Sequence, residues 1–135
     1  MKLLTVVFLA ALVTAEGCPN PAGPDQVALA RPFELAVGHT AELPDGLRLK
    51  FDRVTGDSRC PLDVQCVTAG DATVLVHVSR EGGTPFPLEL HTRQGGSQIV
   101  YDNHTIQLTA LQPHPRSDRP SRQIDYVATL VVSAP

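Results

Sequence analysis

The chain contains no tryptophan, and its only methionine is residue 1. These two absences exclude a soft, methionine-lined groove of the kind that binds copper or apolar peptides. Positive charge is also scarce, because 11 Lys and Arg residues face 14 Asp and Glu residues, for a formal net charge of −3. Since no strong positive field would steer nucleic acid toward such a chain, we expect no nucleic-acid partner.

Long apolar runs are rare, and the clearest one lies at the start of the chain. Residues 3–13 are apolar except for Thr5, and Lys2 precedes them. This run is too short to cross a bilayer as a helix, which takes about 20 residues, but it suits the core of a secretory signal. We therefore predict a removable signal at residues 1–17, with a buried N-terminal helix or strand as the alternative.

Helical periodicity is absent after the signal, and 12 prolines and 10 glycines break the chain into short pieces. A Pro-rich stretch at residues 18–31 reads as an extended tether. Residues 32–135 then alternate with a period of two, in about eight strands that turns interrupt every ~8–12 residues. This pattern predicts one all-β domain, an antiparallel β-sandwich of the immunoglobulin-like or Greek-key type. A small β-barrel is the alternative.

Individual strands carry further signals. Val54 falls out of register with the alternation at residues 47–51, which predicts a bulge near residues 52–53. Pro85 and Pro87 cannot donate ladder hydrogen bonds, so their strand should lie at a sheet edge. The last strand is predicted to bury one face, formed by Ile124, Tyr126, Ala128, Leu130 and Val132.

A long unpatterned loop at residues 56–71 contains two of the three cysteines, Cys60 and Cys66. In an exported protein, two cysteines at this spacing favour a structural disulfide. A redox or metal site is the alternative, although the spacing is not C-x-x-C and no second pair completes a tetrahedral site. Pairing within the loop would close a small ring, which contributes about 2 kcal/mol in the chain-entropy description.

The third cysteine, Cys18, lies directly after the predicted signal. Gly17 fits the residue before the cysteine of a bacterial lipoprotein cleavage box, whereas Ala15 and Glu16 depart from that pattern. If Cys18 is lipidated, no thiol is left over. The alternative is ordinary cleavage after Ala15, which leaves a free thiol. We expect an exported protein, lipid-anchored in the cell envelope or free in the periplasm or outside the cell.

The stretch DSRCPLDVQCVTAGDA, at residues 57–72, resembles the signature of a family of small, uncharacterised bacterial exported proteins and lipoproteins. Members read roughly DSRCP, a short spacer, then C-V-W-A-G, and Thr68 stands here in place of the tryptophan. The stretches ELPDGLRLKF, IQLTALQPHP and DYVATLVV are similar to the family as well. The resemblance implies a β fold and an envelope location, and it implies no activity.

The loop at residues 56–71 is the candidate binding surface, because a rigid scaffold presenting a shaped loop is a common way to bind partners. In this interpretation Arg59 offers a bidentate donor to a carboxylate of the partner. We expect a noncatalytic, monomeric module without cofactor or metal, which binds an envelope protein, peptide or glycan and meets the membrane only through an anchor at Cys18. The candidate contact residues are Asp57, Arg59, Pro61, Leu62 and Asp63.

The alternative function is a small hydrolase, or a calcium-dependent envelope enzyme or binding protein. Asp57, Asp63 and Asp71 would have to converge on Ca²⁺, whereas turn capping or an Asp57–Arg59 pair explains them as well. The five histidines have no ligand-pair spacing. The loop at residues 112–122 is the second candidate surface. Its weak basic cluster, either a solvated loop or a phosphate site, consists of Arg116, Arg119 and Arg122.

Overall fold

Short strands joined by turns make up the part of the chain that the computed structural model describes, which is residues 25–93 and 97–135. Among these residues the one helical element is a 3-10 turn at Gln123–Asp125. The strands are β1 (Asp25–Gln26), β2 (Pro32–Ala36), β3 (Thr40–Glu42), β4 (Leu47–Asp57), β5 (Ala72–Arg80), β6 (Phe86–His91), β7 (Gln98–Tyr101), β8 (His104–Gln112) and β9 (Val127–Ser133).

The strands form two sheets, with the orders β1–β3–β4–β5–β6 and β2–β9–β8–β7. Every pairing is antiparallel except that of the two-residue strand β1 with β3. Buried side chains from both sheets form one core between them. Each sheet ends in edge strands, so the predicted β-sandwich is confirmed and the described residues do not close into the alternative barrel.

Alternation with a period of two explains the two longest strands of the first sheet. Along β5, buried and half-buried residues alternate from Ala72 to Ser79, so one face of the strand lies in the core. The neighbouring strand β4 alternates likewise until Phe51, where its pairing with β5 shifts by one residue before Arg53. This bulge returns Val54 to the buried side and confirms the predicted irregularity.

The strand that contains Pro87, β6, lies at the edge of the first sheet, as predicted. A proline there loses no ladder hydrogen bond, because its missing N–H would face away from the sheet. No helix in the described residues is long and apolar enough to cross a membrane. The predicted signal at residues 1–17 and Cys18 lie outside the described part of the chain.

The described end of the predicted tether, residues 25–31, packs against the sandwich. Asp25 and Gln26 pair with β3, and the Val27 N–H donates to the Glu42 carbonyl. The Ala30 N–H donates to a carbonyl of β9 in the other sheet. Val27 and Leu29 contact the core, so alternating apolar residues hold this segment in place. The predicted boundary at residue 32 is therefore too late, because the sheets already include residue 25.

Ile124 does not continue the buried face of the last strand. It is 75% exposed in the 3-10 turn, whereas Tyr126 is buried. The side-chain amide of Gln123 accepts from the Val54 N–H at 3.0 Å and donates to the Val54 carbonyl at 2.7 Å. This pair of bonds imitates strand pairing at the bulge of β4 and holds residues 123–125 out of the strand.

Candidate functional site

Two loops that the sequence offers as alternatives form one surface at the same end of the sandwich. The disulfide loop, residues 58–71, lies against the proline loop, residues 113–122. The Leu62 N–H donates to the Pro115 carbonyl at 3.0 Å, and His114 Nε2 lies 3.1 Å from the Cys60 carbonyl oxygen. The Ser117 N–H donates to the Asp63 carboxylate at 2.9 Å. Each loop therefore supports the other.

The predicted disulfide between Cys60 and Cys66 is confirmed. The two Cα atoms are 5.9 Å apart, within the usual range for a disulfide. The bridge closes residues 60–66 into a ring. We call residues 61–67, which are the part of the chain between the cysteines, Cys66 and the adjacent Val67, the loop tip. We call Ser58, Arg59, Gly70 and Asp71, together with the preceding Asp57, the loop base.

Arg59 does not point toward a partner, contrary to the sequence-based interpretation. It is only 8% exposed, and all of its bonding partners lie within the chain. Its Nε and Nη2 donate to the two carboxylate oxygens of Asp57 at 2.9 and 2.7 Å. Its guanidinium also donates to the backbone carbonyls of Leu111, at 2.7 Å, and Pro113, at 2.9 Å. The bidentate geometry predicted for a partner's carboxylate is thus satisfied inside the loop base.

Asp57 is turned inward with Arg59 and joins the loop base to the last strand. The Tyr126 hydroxyl donates to its carboxylate at 2.9 Å. Burial raises the pKa of Asp57, but the hydrogen bonds from Arg59 and Tyr126 together outweigh it, so the pKa lies below its usual value. In the same contact, burial and the nearby carboxylate raise the pKa of Tyr126. Asp57 and Arg59 are therefore structural residues.

Gly70, which the sequence analysis did not single out, allows the two arms of the loop base to approach. The Ser58 N–H donates to the Asp71 carbonyl at 2.7 Å, and the Cys60 N–H to the Ala69 carbonyl at 2.9 Å. At Gly70 φ is +70°, and a Cβ there would lie 1.8 Å from the Ser58 carbonyl oxygen. Only glycine fits such a position. In the sequence, the available signal for this close approach was the Ala-Gly-Asp stretch that follows the second cysteine of the loop.

The loop tip has the opposite character, because its apolar side chains face solvent. Leu62 is 67% exposed, Val64 is 44% exposed and Val67 is fully exposed. Of the other residues named from the sequence, Pro61 is half-buried and Asp63 is bonded to Ser117. The structure thus brings Pro61, Leu62 and Asp63 together at the surface. It adds Val64 and Val67, which the sequence analysis missed.

The three aspartates considered for calcium face different partners. Asp57 faces Arg59 and Asp63 faces Ser117, while Asp71 accepts from His91 Nδ1 at 2.7 Å and from the Arg93 N–H at 3.0 Å. Burial raises the pKa of Asp71, but the hydrogen bonds to His91, Arg93 and Thr92 lower it below its usual value. The described residues contain no group of three or more side chains placed to hold a metal ion.

One histidine lies beside both a carboxylate and a hydroxyl, the groups that a hydrolase would need. His91 Nδ1 is 2.7 Å from Asp71 Oδ2 and 3.3 Å from Thr73 Oγ1. A nucleophile–base–carboxylate relay uses the two ring nitrogens separately, one for the nucleophile and one for the carboxylate. Here both groups contact the same nitrogen, so these three residues do not form that relay.

A second histidine, His104, is buried at the opposite end of the sandwich, at the start of β8. Its Nδ1 donates to the Asp102 carbonyl at 2.8 Å. Its Nε2 lies 2.8 Å from Asp45 Oδ2, outside hydrogen-bonding geometry. Arg80 pairs with Asp45 and with Asp102. This cluster ties turns of the two sheets together, which makes it structural.

The three arginines of the proline loop line one recess, as an anion-binding site would require. Arg116, Arg119 and Arg122 line it together with Asp125, Pro113 and Pro120. We call it the arginine recess, and it borders the loop tip through the bonds between Asp63 and Ser117.

Comparison of the whole chain with models of protein families, with curated proteins and with solved structures finds no match in any of the three.

Proposed function

We propose that this chain is a noncatalytic, exported module of the cell envelope that binds a protein partner through the loop tip. One observation carries the proposal. The disulfide ring exposes Leu62 and Val64, and Val67 directly after the ring is exposed as well, while the nearby Asp57 and Arg59 are turned inward and bonded. Neighbouring apolar side chains that are exposed together mark interaction sites on protein surfaces.

Rigidity supports binding by this surface. The ring closed by Cys60 and Cys66, and the bonds from the tip to Pro115 and Ser117, leave the loop few conformations to lose. Ordering of a loop on binding is a cost of association, so a loop that is already ordered binds more tightly for the same contacts. The loop tip, residues 61–67, contains no Phe, Tyr or Trp that would favour a glycan.

The experiment is site-specific photo-crosslinking in cells. A photoreactive residue at Val67 is expected to yield a discrete adduct with a partner protein. The matched control is Val100, which is 68% exposed on the edge strand β7 and should yield none. With the photoreactive residue kept at Val67, Leu62→Asp combined with Val64→Asp should remove the adduct, whereas Val100→Asp should leave it. Equal adducts from both positions, or no change in the double variant, would reject the tip as the binding surface.

The anchor is tested separately, because Cys18 lies outside the described residues. Lipidation of Cys18 would place the sandwich close to a membrane on a tether of a few residues. Cys18→Ala is then expected to move the protein from the membrane fraction to the soluble fraction. A mature N-terminus at Glu16, seen by mass spectrometry, would instead establish ordinary secretion and would leave the proposal for the loop tip unaffected.

A further inference from the structure

The arginine recess is a positive site on a chain of negative net charge. Three arginines and one aspartate line it, whereas the whole chain carries a formal net charge of −3. Its volume is about 690 Å³, within the ~300–1,000 Å³ typical of sites for small ligands or short segments. Like charges gathered in a concave surface concentrate the field there and attract groups of the opposite sign.

Two of the three guanidinium groups are oriented by ion pairs that involve only some of their N–H donors. Arg116 bonds Asp118 through Nε alone, at 3.1 Å. Arg122 bonds Asp125 through Nε and Nη2, at 2.9 and 2.8 Å. These bonds leave both terminal nitrogens of Arg116 and one of Arg122 outside the ion pairs. Within residues 25–93 and 97–135, no side-chain bond or ion pair involves Arg119.

The wall that carries these arginines is stiff. The Arg119 N–H and the Arg116 carbonyl close a tight turn at 3.4 Å, and Ser117 at its centre is bonded to Asp63 of the disulfide loop. Pro113 and Pro120 restrict the backbone on both sides of this turn. The recess therefore keeps its shape before a ligand arrives, which reduces the ordering entropy lost on binding.

We propose that the arginine recess binds the carboxylates of an acidic peptide segment on the partner protein. Guanidinium groups bind carboxylates through paired N–H bonds, and the contact of Arg122 with Asp125 shows this chemistry in the recess itself. Gln112 and Ser121 also line the recess and supply neutral groups for a peptide backbone. No Phe, Tyr or Trp side chain lines it, and the one aromatic ring in its wall is the imidazole of His114, whose Nε2 lies 3.1 Å from the Cys60 carbonyl oxygen.

This inference rests on the proposed function in one respect, namely that the partner is a protein. Such a partner would carry an apolar patch for the loop tip and, next to it, a run of Asp or Glu for the recess. The bond between Asp63 and Ser117 joins the two surfaces, so one partner can contact both. The recess can nevertheless be tested alone, with a synthetic peptide.

The test is calorimetric titration of the purified full-length protein with a hexaglutamate peptide at low salt. Arg116→Gln combined with Arg119→Gln is expected to weaken binding tenfold or more. Arg31→Gln combined with Arg48→Gln removes the same charge from positions outside the recess and should change the affinity less than twofold. Binding should also weaken as salt rises from about 50 to 300 mM, because the screening length falls.

Three results would overturn the inference: no binding of hexaglutamate by the wild type, equal weakening in the two double variants, or tighter binding of inorganic phosphate than of hexaglutamate. The last result would make the recess a phosphate site. The neutral loop-tip variant Leu62→Ser/Val64→Ser separates the two proposals, because it adds no charge beside the recess and should bind hexaglutamate with wild-type affinity. If that variant also retains the cross-linked partner, the proposed function fails while the recess still stands.

Discussion

The base and the tip of the disulfide loop differ in what their polar and apolar residues do. At the base, Arg59 is only 8% exposed and is bonded to a carboxylate and two carbonyls. At the tip, a few residues further on, Leu62 and Val67 face solvent. Charged residues in a loop are commonly taken as contact residues and apolar ones as packing. In this loop the arginine is buried and bonded, whereas the apolar side chains are exposed.

Arginines of the two loops show the same contrast. Arg59 donates to four oxygens of its own chain, whereas Arg119 of the proline loop is exposed and has no side-chain bond among the described residues. Both are close to a proline and an aspartate in sequence, so composition does not distinguish them. The degree of burial distinguishes the two arginines. The N–H donors of a buried guanidinium must all find hydrogen-bond acceptors in the protein, whereas those of an exposed one can bond to water.

The largest predicted effect is at Arg59. Arg59→Met should lower the free energy of unfolding by about 3–5 kcal/mol, because it leaves the Asp57 carboxylate in a buried site without its cation. Chemical denaturation in urea measures the loss. Arg53→Met is the control, since Arg53 is 60% exposed in its pair with Asp52 and should cost below ~1 kcal/mol. Similar losses in both variants would mean that the loop base contributes no special stability.

A loss of about 3 kcal/mol is expected for Gly70→Ala, from strain together with displaced backbone. The new Cβ would lie 1.8 Å from the Ser58 carbonyl oxygen, so the two arms of the loop base must separate. Gly46→Ala is the matched control. Its φ of +83° is similar, but nothing lies within 4 Å of the added atom, so only the conformational cost of about 1–2 kcal/mol applies. Equal melting temperatures for the two variants would contradict the close packing at Gly70.

Removal of the disulfide should have a smaller effect on stability and a clear effect on binding. Cys60→Ser combined with Cys66→Ser is expected to cost about 2 kcal/mol, the entropy of a short ring in the unfolded chain. The base should persist, since the bonds of Arg59 do not involve either cysteine. Cross-linking from Val67 should weaken, because the freed tip must be ordered on binding. Unchanged cross-linking would show that the bridge does not shape the tip for its partner.

Acid should destabilise the loop base through Asp57. Its pKa is lowered in the folded protein, so its stabilising contribution is present above the unfolded value, about 3.9. That contribution is lost as the pH falls below this value and through the folded pKa. Urea midpoints for the wild type and for Asp57→Asn should therefore converge as the pH is lowered below ~4. A constant difference between them down to pH 2 would contradict the assignment.

Local patterns in the sequence were sufficient to predict the strands. Alternation with a period of two located β4 and β5, and the misplaced Val54 revealed the bulge, because these features depend on neighbouring residues along the chain. The spacing of Cys60 and Cys66, together with the predicted export, was sufficient to predict the disulfide. The orientation of Arg59 was not predictable in this way, since its backbone partners are 52 and 54 residues distant. Likewise, the Gln123 bonds that expose Ile124 reach a residue 69 positions away.

The candidate site was therefore predicted only in part. The sequence located the disulfide loop, Leu62 and the alternative loop at residues 112–122, because a long unpatterned stretch with a staple is visible locally. It could not show that the two loops form one surface, since the bonds between Asp63 and Ser117 connect residues 54 positions apart. It also assigned a partner-contact role to Asp57 and Arg59, whose side chains are turned inward and bonded to each other.

The smallest predicted effect on stability is at the loop tip. Leu62→Ser combined with Val67→Ser should change the free energy of unfolding by less than ~0.5 kcal/mol, because substitutions at exposed sites usually stay within that range. These side chains remove little apolar surface from water on folding, so little of the ~25 cal/mol per Å² of burial is lost. Val54→Ser is the control, since Val54 is only 4% exposed. It should cost about 2 kcal/mol or more, for the lost packing and the buried hydroxyl. A large loss in the tip variant would show that Leu62 and Val67 pack within the fold, and the contrast between tip and base would then fail.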